Sequence, residues 1–139
     1  ILSCMSFSKS RFNKHIQFEL TRFCNKTNLR VVGGANKLFK MFKLQHSPES
    51  IISYCDLRYF TGTLYSALGF ELTKKTPPGY CYNIGKCLES RHKWQKKKIK
   101  DKLLLYDELL SEERNMENNN FFRIYDCGQM VFVWKPPLV

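Results

Sequence analysis

The run Arg30-Val31-Val32-Gly33-Gly34-Ala35-Asn36-Lys37-Leu38-Phe39-Lys40 joins two hydrophobic periodicities across a pair of glycines, and few architectures accept that order. Upstream, Ile16, Phe18 and Leu20 alternate with Gln17, Glu19 and Thr21 over His15 to Phe23, the pattern of a half-buried strand. Asn25 to Asn28 is a turn, and Leu29 to Val32 extends or restarts the strand. Downstream, Leu38, Phe39, Met41 and Phe42 cluster on one helical face while Lys37, Lys40 and Lys43 lie on another. A helix of about ten residues is expected there, ending near His46 before Pro48. Ser50 to Cys55 is the next apolar run, so strand, helix and strand form a βαβ unit with a right-handed crossover.

The same glycines carry chemistry. Without Cβ atoms the backbone turns tightly and leaves its N–H groups open, and the helix that follows adds the unpaired donors and positive dipole of its first turn. Phosphate is the natural guest. Arg30, Val32, Gly33, Gly34, Ala35, Asn36 and Lys37 are the candidate binding residues.

The rest of the chain extends a mixed fold. Ile1 to Ser6 is a short strand, already under way at a first residue that is not Met, so further strands are expected upstream. Phe60 to Leu68 reads as a helix stopped by Gly69, and Phe70 to Thr73 as a strand. Thr76-Pro77-Pro78-Gly79 is a loop from which Tyr80 to Ile84 returns as a hairpin partner. Glu89 to about Leu110 suggests a long helix or a pair, Asn115 to Asn120 a polar turn. Phe121 to Tyr125 and Met130 to Trp134 suggest a hairpin around Asp126 to Gln129. The expected class is α/β (α+β), with 1–88 as the core and 89–139 as a basic helix and hairpin packed on the same domain.

A chain of 139 residues, 43% hydrophobic, suffices for one core. No apolar run approaches the roughly 20 residues of a membrane span, and no cleavable leader is visible, so a soluble intracellular protein is expected. Six scattered cysteines without a CxxC pair read as buried free thiols, and no metal site is expected. The net charge of +11 is concentrated in Arg91-His92-Lys93-Trp94-Gln95-Lys96-Lys97-Lys98-Ile99-Lys100. Cations beside an aromatic ring and an amide suit phosphate contact with stacking or base-edge hydrogen bonds, so Arg91, Lys93, Trp94, Gln95, Lys96, Lys97, Lys98 and Lys100 are the candidate DNA-binding residues. Their apolar content is too thin for a membrane-surface helix.

Two motifs resemble the GCN5-related N-acetyltransferases: Arg30-x-x-Gly33-x-Ala35, similar to their pyrophosphate loop, and Leu64-Tyr65-x-x-Leu68-Gly69-Phe70, similar to a downstream signature. The resemblance implies a mixed, mostly antiparallel sheet with flanking helices, acetyl-CoA as possible cofactor, and Tyr65 as general acid toward the departing thiolate. The helix before the tyrosine departs from the family, reading Arg58-Tyr59-Phe60-Thr61-Gly62-Thr63, and no carboxylate is clearly placed as a base: Glu19 lies on the right strand, where it reads equally as a solvated or salt-bridged residue. A longer resemblance, through Glu19 to Asn25, Val31 to Ala35, Leu64 to Phe70 and Arg123-Ile124-Tyr125-Asp126-Cys127-Gly128, is to the C-terminal region of phage homing-endonuclease-type proteins. It implies a DNA-contacting module in the cytoplasm of an infected bacterial cell, with a nuclease domain or partner chain supplying the cleavage. The alternatives are an acetyl-CoA-dependent N-acetyltransferase and a supporting domain with neither ligand.

Overall fold

The computed structural model describes residues 1–137, which form eight strands and four α-helices in two compact units. One unit comprises Ile1–Thr76 and the chain from Gly128 onward; the other is Pro77–Cys127. The boundaries fall at Thr76 and Cys127, whereas the sequence suggested a division after Leu88.

The first unit is a five-stranded sheet in the order β1-β2-β3-β8-β4, from β1 (Ser3–Lys9), β2 (Phe18–Asn25), β3 (Ile51–Asp56), β8 (Gln129–Trp134) and β4 (Glu71–Lys75). Every neighbouring pair is antiparallel except β2 and β3, which α1 (Gly34–His46) connects as the expected parallel crossover. Alternation decides what each strand buries. Phe18 and Leu20 join Ile51, Cys55, Met130, Phe132 and Trp134 on the face covered by α1, where Phe39 is 2% exposed. Phe42 stacks on Phe7 and meets Phe18 edge-on, fixing the helix over β1 and β2. A short helix, α2 (Thr63–Ala67), continues this layer and ends before Gly69, whose φ of 83° accommodates the stop.

Several sequence expectations are corrected. Leu29 to Val32 is irregular, not a strand, and Met41 is 55% exposed. Tyr80 to Ile84 does not return on β4. Pro77 and Pro78 lead the chain out of the first sheet, which it re-enters at Gly128 to insert β8 between β3 and β4. β7 (Phe122–Tyr125) and β8 are therefore not a hairpin: β7 pairs with β5 (Tyr80–Ile84), and with β6 (Cys87–Ser90) these form a second sheet of order β6-β5-β7.

The long helix from Glu89 to Leu110 is absent too. Cys87 to Ser90 is strand β6, paired with β5, and is followed by a 3-10 turn at Arg91–Lys93 and a single turn of helix, α3 (Lys96–Ile99). Lys96, Lys97 and Lys98 follow one another with Asp101 a turn further on, and Gln95, at the N-cap of α3, is extended. Of the polar turn expected at Asn115 to Asn120, only Asn119 and Asn120 are a turn; Asn115 to Asn118 belong to α4 (Glu112–Asn118). Ser111 caps it by accepting the Arg114 N–H, with Glu112 and Glu113 at its positive end. Asn115 is fully buried: its Nδ2 donates to the carbonyls of Asp107 and Ser111, and its Oδ1 accepts the Asp107 N–H. Around Tyr82, Ile99, Leu103 and Met116 this unit builds a small core of its own. No helix among the described residues is long and apolar enough to cross a membrane.

Candidate functional site

The glycine turn has the conformation an anion site needs. Gly33 sits at the N-cap of α1 with φ 71° and ψ 1°, a left-handed conformation costly for other residues. The Gly34 N–H closes the turn on the Val31 carbonyl at 3.2 Å, and the Lys37 N–H bonds the Gly33 carbonyl at 3.0 Å. Among the described residues the N–H groups of Val32, Gly33, Ala35 and Asn36 meet no acceptor, no side chain caps the helix, and its first turn holds no acidic residue. Gly34 is buried, and a Cβ there would lie 3.0 Å from a Val31 methyl and 3.1 Å from Ser3 Oγ. Arg30, Asn36 and Lys37 are exposed around the turn.

Topology sets this turn beside an opening in the sheet. The parallel ladder between β2 and β3 holds only at Phe18 with Ile51 and Glu19 with Ile52; beyond it the Ser53 hydroxyl donates to the Leu20 carbonyl at 2.7 Å and the strands part. The N-terminus of α1 thus lies at the carboxyl ends of a diverging parallel pair, where crevices in such sheets receive ligands.

Tyr65, on α2, is half-buried against Phe132, with ring centroids 5.1 Å apart, and against Phe70. Burial raises its phenol above the ordinary value, a polar contact from Ser53 pulling the other way, so the hydroxyl keeps its proton at neutral pH. Tyr65 and Cys55 share a cavity of about 240 Å³ with residues Tyr59 to Leu64. Burial pushes the Cys55 thiol up as well, against a backbone hydrogen bond from Gly62. The sequence passed over Ser53, although one hydroxyl within Ile51-Ile52-Ser53-Tyr54-Cys55 is the signal that could have found it.

Glu19 is not available as a base. It is 2% exposed and gripped by Arg11, whose Nε lies 3.2 Å from both carboxylate oxygens, whose Nη2 donates to Oε1 and whose backbone N–H donates to Oε2, which together hold the carboxyl below its ordinary value.

In the Pro77–Cys127 unit, the basic run is displayed selectively. Ile99 is fully buried, and Trp94 is half-buried, donating its indole N–H to Glu89 at 2.9 Å and packing on Phe121. Trp94 is therefore a core residue and not an open stacking platform. Arg91, Lys93, Lys96, Lys97, Lys98 and Lys100 are exposed; Gln95 is half-buried at the N-cap of α3. Lys96 Nζ donates to the Glu108 carbonyl and Lys98 Nζ to that of His92, Lys93 approaches Glu89 at 3.7 Å, and the Arg91 guanidinium covers the Tyr80 ring. Lys97 and Lys100 have no such partner among the described residues.

Divided by unit, the charge looks different from its distribution along the chain. Pro77–Cys127 carries ten Lys and Arg against eight Asp and Glu, whereas the other unit carries thirteen against four. The acidic residues of α4 and its flanks offset the lysine run, and the larger excess belongs to the unit of the glycine turn. Among the described residues no group of three or more His, Cys, Asp or Glu side chains could hold a metal. No family model matches this sequence, and no curated protein matches it.

Proposed function

We propose that the chain is a DNA-contacting, acetyltransferase-like module of the kind found in the phage homing-endonuclease-type proteins its sequence resembles. One observation carries this: from Arg91 to Lys100 the large apolar side chains turn inward while six cations remain exposed on one short, irregular segment. Such a surface neutralises backbone phosphates and gains affinity from the counterions they release. The acetyltransferase-like architecture is supported by the single parallel pair in an otherwise antiparallel sheet, by the glycine turn opening α1, and by the Leu64 to Phe70 signature forming α2 and its stop.

The test is the Lys97→Gln/Lys100→Gln double variant, titrated with duplex DNA at several salt concentrations by fluorescence anisotropy. These lysines serve no internal contact, so the fold should persist while the slope of log affinity against log salt shrinks by about two. An unchanged affinity and slope would refute the proposal.

The second reading is an acetyl-CoA-dependent N-acetyltransferase, favoured by the four unengaged N–H groups of the turn and the protonated phenol of Tyr65. In it, Val32 to Lys37 hold the pyrophosphate and Tyr65 supplies the proton to the departing thiolate. Calorimetry separates the two: micromolar acetyl-CoA binding supports the enzyme, and no heat at millimolar ligand excludes it.

A further inference from the structure

Five of the six cysteines are exposed, against the expectation of buried thiols, and two of the five face each other. Cys4 on β1 and Cys24 on β2 are direct cross-strand partners near the end of the antiparallel pair. The Lys26 N–H donates to the Leu2 carbonyl at 2.8 Å, which makes Leu2 and Lys26 a hydrogen-bonded pair. Antiparallel pairs alternate, so Cys4 and Cys24, two positions further in, are also a hydrogen-bonded pair, with Cα atoms about 5.5 Å apart. That separation lies inside the range a disulfide spans. Their Cβ atoms stand wider than an unstrained bridge prefers, but β1 is an edge strand, free to shift on its outer side.

The other exposed thiols have no such counterpart. Cys81 faces Ser90 and Ile124, and Cys87 faces Ile84. One position from the thiol pair, Ser3 donates to Asn25 at 2.7 Å, and Ser3 Oγ reaches the buried Gly34 at the start of α1.

We infer that Cys4 and Cys24 are a modification site: a dithiol that a low-molecular-weight disulfide such as oxidised glutathione converts reversibly into a cross-strand bridge. One thiolate attacks the small disulfide, forming a mixed disulfide and releasing one glutathione thiol. The facing cysteine then gives up its proton and attacks the protein sulfur of that adduct, expelling the second glutathione. Two protein thiols become one disulfide, and one small disulfide becomes two thiols. An exposed bridge across a hydrogen-bonded pair is strained and easily reduced, which suits a reversible mark. It also closes the ladder end on which the glycine turn rests.

The test exposes the full chain to excess oxidised glutathione, blocks remaining thiols with N-ethylmaleimide, and maps tryptic peptides by mass spectrometry. Cleavage after Lys9, Arg22 and Lys26 leaves the two cysteines on separate peptides, Ile1 to Lys9 and Phe23 to Lys26. The expected product is these two joined, lighter by two hydrogens than their sum and separated again by dithiothreitol. In Cys24→Ser the joined species disappears and Cys4 carries a glutathione adduct instead, a control that an exposed position tolerates without unfolding. Absence of the joined peptide from the unmodified sequence overturns the inference, whatever adducts the other thiols carry.

Discussion

Single residues at special backbone positions decide more of this structure than their size suggests. Gly62 and Gly33 share a left-handed conformation, with φ of 80° and 71°, but their surroundings differ. A Cβ at Gly62 would meet the Phe132 ring at 2.5 Å and the Met130 methyl at 3.1 Å, whereas one at Gly33 meets nothing within 4 Å. Gly62→Ala should therefore cost roughly 2 to 5 kcal/mol, strain and overpacking together, and Gly33→Ala only about 1 to 2 from strain. Urea unfolding midpoints check the order. Glu19 makes a second case. Its carboxyl is held below the ordinary value by Arg11, so the pair stabilises the fold above about pH 4.5 and is lost as pH falls through the lowered value. Arg11→Met leaves the buried carboxylate without its partner and should cost about 1 to 2 kcal/mol at neutral pH, the exposed guanidinium being partly screened. Unfolding at a series of pH values should show the gap between the proteins closing below about pH 5, as the carboxyl takes up its proton.

Elements succeeded or failed in the sequence according to whether their signal was local. α1 was legible because Phe39 and Phe42 recur at helical spacing and Pro48 marks the end. It starts two residues before Asn36, since Gly33 itself serves as N-cap. Phe39 packs on Phe7, Phe70 and Trp134, so Phe39→Ala should destabilise the first unit by about 3 to 5 kcal/mol in thermal or urea unfolding. α4 was missed although Asn119 and Asn120 do form the turn that ends it, because the informative residues were Ser111, Glu112 and Glu113 at its start. Removing that cap by Ser111→Ala should cost about 1 kcal/mol. The lysine run looked helical by composition, yet only one α-helical turn forms there, because Trp94 and Ile99 are both needed in the core.

At the scale of the whole molecule, the two units bury separate cores of different size. Among the described residues the first gathers nine buried residues around Phe39 and Phe132, and the second four around Tyr82 and Met116. The smaller core removes less apolar surface from water against a comparable entropy cost per residue, and it should open first. Each unit contains one tryptophan, Trp134 in the first and Trp94 in the second. Trp134→Phe and Trp94→Phe variants should thus report separate fluorescence transitions, with the Trp94 signal changing at lower urea. Coincident midpoints would show one cooperative unit.

The sequence by itself determined what depends on neighbours along the chain: the period change at the glycines, the parallel crossover it enforces, and the stop at Gly69. These follow from side-chain alternation and backbone freedom along consecutive segments of the chain, where physical constraint and sequence order coincide. Only the tertiary structure decided which strands are partners, because ladder hydrogen bonds are made by backbone groups common to all residues and carry no address. β8 lies between β3 and β4 because its buried face completes a core assembled by residues more than fifty positions away. For the same reason Glu19 proved to be an ion-paired structural residue, Trp94 a core residue, and Cys4 and Cys24 a facing pair: each role is set by what stands opposite in space.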